Sequence, residues 1–319
     1  MSEAPAPWQQ RLHDQALAAL DSGRLGHALL LCGPAGLGKR AVAERMAVRV
    51  LSGGEPAAEA RNRPLIAAGT HPDLHLVSFV PNKEGTRLRT EIVIEQIREL
   101  GQKLALTPQY GRAQVAIIDP ADALNTAACN ALLKTLEEPA PGRYLWLVSA
   151  RPARLPATIR SRCQRLEFRL PAREEALAWL AARGHAIDAA VAALDAARGH
   201  PGLADEWLRG DGLALRRQVA TDLAALEAGR ADPLEAALRW SGDEQAGERL
   251  RHAAEHVRDE AAAAGLTDPE RLHKLAAWFD NANRARELLR STVRADLVMT
   301  ELLLDWRDAS RPAGKGDNR

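Results

Sequence analysis

The feature that most constrains the fold is a glycine-rich octapeptide at residues 33–40, GPAGLGKR, which lies between an apolar run at residues 27–32 and a helical segment at residues 39–51. A strand, a glycine-rich turn and a helix in that order present backbone N–H groups to phosphates. The octapeptide matches the phosphate-binding pattern G-x-x-x-x-G-K-[ST] at every fixed position except the last. The sequence therefore predicts an α/β P-loop domain with a parallel sheet.

The exception is Arg40, which stands where a Ser or Thr hydroxyl would hold Mg²⁺. A guanidinium has five donors and no lone pair for a metal. A cation in the first turn of a helix also opposes the helix dipole, by about 0.3–1 kcal/mol. Gly33, Gly36, Gly38 and Lys39 remain as candidate residues of a degenerate nucleotide site. They leave open whether ATP binds, and no cofactor is expected to be required.

A second apolar strand, at residues 114–119, delivers Asp119 at its carboxyl end. In P-loop enzymes an Asp at this place helps to hold Mg²⁺, and a following Glu can polarise water. Here Pro120 follows and cannot orient water. Asp119 is therefore either a remnant of a metal-binding position or the end of a core strand.

Composition limits the classes of function. The chain has 319 residues, enough for two or three domains, and its 43 basic and 42 acidic residues give a net charge of +1. Any DNA contact must then come from a local patch. Three separated cysteines (Cys32, Cys129 and Cys163) predict neither disulfides nor a zinc or other metal site. We expect a cytoplasmic protein, since neither a secretory signal nor a membrane span is recognisable.

The periodicity of apolar residues predicts alternating helices and strands in the first half of the chain. Helices are predicted at residues 9–20, 39–51, 91–106 and 126–138, and strands at residues 27–32, 73–80, 114–119 and 144–149. Residues 52–64 carry no periodicity and are predicted to be a polar connection.

From Pro171 onward the pattern is helical, with a break at residues 199–202. The last helix is predicted as one element at residues 284–307, with a broad apolar band. The predicted domains are an α/β domain at residues 1–170, a small helical domain at 171–211, an all-α domain at 212–308 and a disordered tail at 309–319.

Arginine is concentrated between Glu138 and Leu170, where seven arginines face one acid, Glu167. The arginines are Arg143, Arg151, Arg154, Arg160, Arg162, Arg165 and Arg169. Such a cluster is either solvated and paired within the chain, or a place for the phosphates of DNA or a nucleotide.

Four motifs in order resemble the bacterial clamp-loader branch of the AAA+ ATPases. They are the octapeptide at residues 33–40, AGTHPD at 68–73, NALLKTLEEP at 130–139 and SRC at 161–163. The resemblance covers nearly the whole chain, and the second pair of motifs is far more specific than a P-loop.

The resemblance implies a subunit of a hetero-pentameric ring with an AAA+ domain, a helical lid and a helical collar that holds the ring together. The implied partners are motor subunits, a delta subunit, the sliding clamp and primed DNA, with no membrane. Arg162 matches the arginine finger that such subunits direct to the γ-phosphate of ATP in a neighbour. Ser161 and Cys163 would then position it and pack beneath it.

Four family features are altered. The hydroxyl is replaced by Arg40, the catalytic Glu by Pro120, and the nucleotide-sensing arginine of the lid by Gly202. Ser149 is at most a remnant of a polar sensor at the end of the fourth strand. The fourth altered feature is the zinc module of many relatives, which is not expected here because no cysteine lies in residues 51–72.

Three hypotheses follow. The first is a clamp-loader subunit that does not hydrolyse ATP and supplies Arg162 to a motor neighbour. The second is an active P-loop ATPase, such as a clamp-loader motor subunit, in which Lys39 and Asp119 suffice. The third is a separate helical interaction protein with an unused P-loop. Arg40 and Pro120 argue against the second, and the specific motifs argue against the third.

Overall fold

Five parallel strands form the predicted sheet in a computed structural model, which describes residues 4–82, 85, 88–111, 113–264, 268–289 and 293–310. The strands are β1 (Ala28–Cys32), β2 (Leu74–Val77), β3 (Gln114–Ile118), β4 (Arg143–Ser149) and β5 (Gln164–Glu167). Their order in the sheet is β2-β3-β4-β1-β5. The α/β class with a parallel sheet and following helices is confirmed. The sequence did not predict β5.

Fourteen α-helices occur in the described residues. They are α1 (Pro7–Asp21), α2 (Lys39–Leu51), α3 (Pro56–Ala67), α4 (Ile94–Ala105), α5 (Thr126–Glu137), α6 (Ala157–Arg160), α7 (Arg173–Ala182), α8 (Ile187–Ala196), α9 (Pro201–Arg209), α10 (Gly212–Glu227), α11 (Pro233–Ser241), α12 (Ala246–Ala264), α13 (Pro269–Leu288) and α14 (Ala295–Ser310).

Helices cover both faces of the sheet because β1, an interior strand between β4 and β5, is apolar on both sides. Leu29 and Leu31 point into a core shared with α1 and α2. Leu30 and Cys32 point into a second core shared with α4 and α5. Alternate residues of a strand face opposite sides, so a run of five buried residues requires two layers of helices. This arrangement holds β1, and the start of the glycine loop after it, in the interior of the sheet.

The predicted connection at residues 52–64 is wrong, because α3 occupies most of it. The segment is rich in alanine and begins with Pro56, which suits the first turn of a helix. Only Asn62 and Ile66 are buried, so the helix has almost no apolar stripe for periodicity to detect. The buried Asn62 amide donates to Ser52 Oγ at 3.0 Å, which satisfies its polar group.

The single helix predicted at residues 284–307 is also wrong. Helix α13 ends at Leu288 and α14 begins at Ala295, while residues 290–292 lie outside the described part. The described residues between the two helices, Leu289, Val293 and Arg294, are not helical, and Val293 has low intrinsic helix propensity. The predicted tail at 309–319 falls largely on residues outside the described range, except that 309 and 310 belong to α14.

The chain separates into two compact units, one up to Asp205 and one from Glu206 onward. The second unit has its own helical core, which contains Trp240, Trp278 and Trp306. Each of these indoles donates to a carbonyl or carboxylate oxygen of the unit, at 2.8–3.0 Å. No helix in the described residues is long and apolar enough to cross a membrane. The predicted boundaries at 170 and 211 remain predictions.

Candidate functional site

The glycine loop leaves the carboxyl end of β1 between β4 and β5. Gly33 N donates to Ser149 O at 3.3 Å, and Phe168 N donates to Cys32 O at 2.7 Å. A Cβ at Gly33 would lie 2.1 Å from Phe168 O, and the backbone has φ +134°, so this position requires glycine. Packing against both neighbouring strands therefore fixes the start of the loop.

Lys39, at the start of α2, turns back onto the loop itself. Its Nζ donates to Gly33 O at 2.8 Å and to Pro34 O at 2.5 Å, and the residue is only 6% exposed. Burial lowers the pKa of the ammonium group, and the charges of Asp119 and Asp122 oppose that shift. The positive charge that a P-loop lysine offers to phosphate is engaged by carbonyls of its own loop.

Arg40 lies along the first turn of α2. Its Nε donates to Glu44 Oε1 at 2.8 Å, an i,i+4 ion pair on the surface of the helix. The half-buried carboxyl of Asp119 has its pKa raised by burial, against the opposing charges of Arg40 and Lys39. The position where Mg²⁺ binding would need a hydroxyl oxygen therefore holds the guanidinium of Arg40, which is paired with Glu44 and lies near Asp119.

Asp122, which the sequence analysis overlooked, holds the ends of β3 and β4 together. Its Oδ1 accepts from Ser149 Oγ at 2.8 Å and from Ala150 N at 3.0 Å. Burial raises the pKa of this carboxyl. These hydrogen bonds lower the pKa by a larger amount, so the net shift is downward. Ser149, predicted as a sensor remnant, is fully buried and bonded within the chain. The sequence signal that could have revealed Asp122 is a second aspartate three residues after Asp119, close to the carboxyl end of the same buried strand.

His200, just before α9, and Gly202, within α9, contact the glycine loop directly. His200 Nε2 donates to Ala35 O at 2.6 Å, while His200 Nδ1 accepts from Leu203 N at 3.0 Å. A Cβ at Gly202 would lie 2.1 Å from Gly36 O. From the family resemblance, Gly202 was predicted to mark the loss of a nucleotide-sensing arginine. The structure adds a steric reason for glycine, since any side chain here would collide with the loop.

Helix α1 engages the other end of the loop. Trp8 Nε1 and Gln9 Nε2 both donate to Leu37 O, at 3.1 and 3.2 Å. A Cβ at Gly38 would lie 2.0 Å from Gln9 Nε2. Together with Lys39 and His200, these contacts engage carbonyls along most of the loop. The residues present therefore do not fit the chemistry of a Mg²⁺–ATP site: Lys39 is bonded to its own loop, the Ser or Thr hydroxyl is absent, and His200 and Gly202 contact the loop directly.

Arg162 lies outside this site, between α6 and β5. Its Nη1 donates to Thr158 O at 2.9 Å, and its Nη2 pairs with Glu137 Oε1 at 2.7 Å. The side chain is 37% exposed, while the next residue, Cys163, is buried. A buried anchor beside an exposed guanidinium is an arrangement that can present the charge to another molecule.

The arginine cluster is largely paired within the chain. Arg143 donates to Leu104 O and Leu106 O, Arg151 contacts Asp122, and Arg169 pairs with Glu167. These contacts favour the paired-surface interpretation for Arg143, Arg151 and Arg169. Arg162 also has partners in its own chain, but its side chain remains 37% exposed.

The three cysteines are buried free thiols. Burial raises the pKa of each, that of Cys163 to about 11, so they stay protonated near neutral pH. This agrees with a packing role for the cysteine of the SRC motif. In the described part of the chain, no group of three or more His, Cys, Asp or Glu side chains could hold a metal ion.

Comparisons with known proteins give a consistent result. A family model described as "DNA polymerase III, delta subunit" matches residues 8–172. The chain is 33% identical to DNA polymerase III subunit delta' of Pseudomonas aeruginosa, covering 96% of this chain and 98% of that protein. It is 32% identical to DNA polymerase III subunit delta' of Escherichia coli, covering 93% and 94%. A solved DNA polymerase III gamma subunit-related protein from Thermotoga maritima aligns with a TM-score of 0.48 and 15% identity, covering 95% of this chain and all of that one.

Proposed function

This chain belongs to the family of DNA polymerase III delta-prime subunits, and from that premise we propose that it is the non-hydrolysing subunit of a clamp loader. It completes a hetero-pentameric ring with motor subunits and a delta subunit. The ring loads the sliding clamp onto primed DNA during replication in the cytoplasm. Arg162 extends to the γ-phosphate of ATP bound by the neighbouring motor subunit, where an arginine stabilises the charge of phosphoryl transfer.

The observation that carries this proposal is the contrast between two cations. Lys39 is buried and bonded to the carbonyls of its own loop. Arg162 is partly exposed, on a segment anchored by buried Cys163. Of these two cations, Arg162 is therefore the one that another molecule can reach, whereas Lys39 is bonded within its own loop.

A test of the assembly is co-purification of the full chain, carrying an affinity tag, from its native cells. We expect the clamp-loader motor and delta subunits to elute with it in fixed proportion, since a subunit that does not hydrolyse ATP acts through its neighbours. Mass spectrometry of the eluate identifies them. Recovery of the chain without these subunits, at salt concentrations that preserve the loader, would reject the proposal.

Exposed leucines in the second unit support a role in ring assembly. Leu234 and Leu238 lie one turn apart on α11, and each is 54% exposed. Leu297 on α14 is 58% exposed, and α14 packs against α11. The band predicted at residues 288–304 thus has exposed members, while Leu302 and Met299 belong to the core. We propose that this leucine face, made of Leu234, Leu238 and Leu297, contacts the collar helices of the partner subunits.

The variant Leu238→Arg should weaken assembly by about 100-fold or more. Burying one leucine contributes about 1.5–3 kcal/mol, and an unpaired buried arginine adds a desolvation penalty. The variant should fold, since the position is exposed in the free chain. Size-exclusion chromatography with the partner subunits measures the loss. Leu106→Arg, the same change at an exposed leucine of the first unit, is the control and should co-elute normally. Normal co-elution of Leu238→Arg would show that the leucine face is not an interface.

A further inference from the structure

We infer that Glu137 is a positioning residue for the arginine finger: its carboxylate, at the end of α5, sets the direction in which Arg162 presents its guanidinium. The inference rests on the proposed role of Arg162 and extends it to a second motif. Glu137 belongs to the segment NALLKTLEEP at residues 130–139, to which the proposed function assigns no task. The contact links this segment to the SRC motif.

Two groups hold the guanidinium. Thr158 O, on α6, accepts from Nη1 at 2.9 Å, and Glu137 Oε1 pairs with Nη2 at 2.7 Å. These acceptors come from different helices, so together they fix the plane of the guanidinium as well as its position. Thr158 alone would fix only one terminal nitrogen.

The backbone around both residues is anchored in one core. Leu136, beside Glu137, and Cys163, beside Arg162, are buried in the core on the α4–α5 face of the sheet, as is Ile159 of α6. Each residue of the exposed ion pair therefore lies beside a buried residue that holds its backbone in the core. Movement of the guanidinium must come from its own side-chain rotamers, and these are what the Glu137 contact restricts.

The contact leaves the finger usable. A guanidinium has five N–H donors, and the two observed contacts engage one on each terminal nitrogen. The Nε–H and the second hydrogen of each terminal nitrogen remain to reach a phosphate oxygen. Because surface ion pairs add little to folding stability, a carboxylate here acts mainly on orientation.

The test replaces Glu137 by glutamine in the full chain and reconstitutes the complete loader with its motor and delta subunits, sliding clamp and primed DNA. Glu137→Gln keeps the shape and removes the charge. At the motor site that Arg162 serves, we expect kcat for ATP to fall by several-fold to about 100-fold with KM unchanged, since misdirection of a group that acts in the transition state changes kcat. The total rate of the loader then falls by up to the share of that one site. Glu138→Gln, the same change one residue further, should behave as the unaltered protein. The melting temperature of the variant should not change.

A double variant separates positioning from other roles. If Glu137 acts through Arg162, the loader with Glu137→Gln and Arg162→Ala together will be no slower than the loader with Arg162→Ala alone. A normal kcat for Glu137→Gln, when Arg162→Ala is slow, overturns the inference and leaves the proposed function standing. A raised kcat also overturns it, since Glu137 would then mask the finger. A normal rate for Arg162→Ala at that motor site removes the finger role on which the inference rests, and with it the inference.

Discussion

Replacing Arg162 by alanine should slow ATP hydrolysis at the neighbouring motor site by about 10³-fold or more, because a finger supplied in trans contributes on that scale to phosphoryl transfer. This corresponds to about 4 kcal/mol of transition-state stabilisation. The effect should appear as a fall in the DNA-stimulated ATPase of the reconstituted loader. Motor sites that receive their finger from another subunit retain their activity. The total ATPase rate of the loader therefore falls only by the fraction that the site served by Arg162 contributes.

The variant should fold and assemble normally. Arg162 is partly exposed, and the ion pair that it loses is worth about 0–1 kcal/mol. Arg165→Ala, which removes an exposed arginine from adjacent β5, is the charge-matched control and should hydrolyse ATP at the normal rate. Arg162→Lys keeps the charge but not the planar set of donors, so it should restore little. A normal rate for Arg162→Ala in an assembled loader would show that the finger assignment is wrong.

Much of the first unit could be predicted from local sequence. Strand β1, the glycine loop and α2 are recognisable because a buried strand, positive-φ glycines and a helix start each leave a local signal. The start of α5 is another example: asparagine is a favoured N-cap residue, and the Asn125 side chain accepts from Ala128 N at 2.9 Å just before the predicted helix. These features depend on residues within a few positions of one another.

The errors arose where that local signal is weak. Helix α3 buries only two residues, so no apolar stripe marks it, and Pro64 within it suggests a breaker. The band at residues 284–307 is apolar enough to read as one helix, although α13 and α14 are separate. Strand β5 has only four residues and a single apolar one, Leu166, which is too little to separate it from a loop.

The chemistry of the site divides in the same way. The replacements at Arg40 and Pro120 are visible in the sequence, because each stands in a motif of fixed spacing. The return of Lys39 to its own loop, the bond between Ser149 and Asp122, and the contact of His200 with Ala35 O require tertiary structure. The last joins residues 165 positions apart, and no spacing rule predicts it.

We propose that this chain has no ATPase activity of its own, and the following observations support that proposal. Lys39 Nζ is bonded to two loop carbonyls. Arg40 pairs with Glu44 and offers no lone pair to a metal. Pro120 cannot orient an attacking water, and Gly202 packs so closely on the glycine loop that a Cβ there would collide with Gly36 O. Restoring one of these elements would leave the others missing.

The measurement that tests this account most directly is steady-state phosphate release by the purified full chain, beside an identically prepared Lys39→Ala variant. We predict that both preparations release phosphate at the same background rate, with or without primed DNA, because hydrolysis belongs to the motor neighbour that Arg162 serves. Turnover by the unaltered chain that disappears in Lys39→Ala would contradict the account and identify the chain as an active P-loop ATPase.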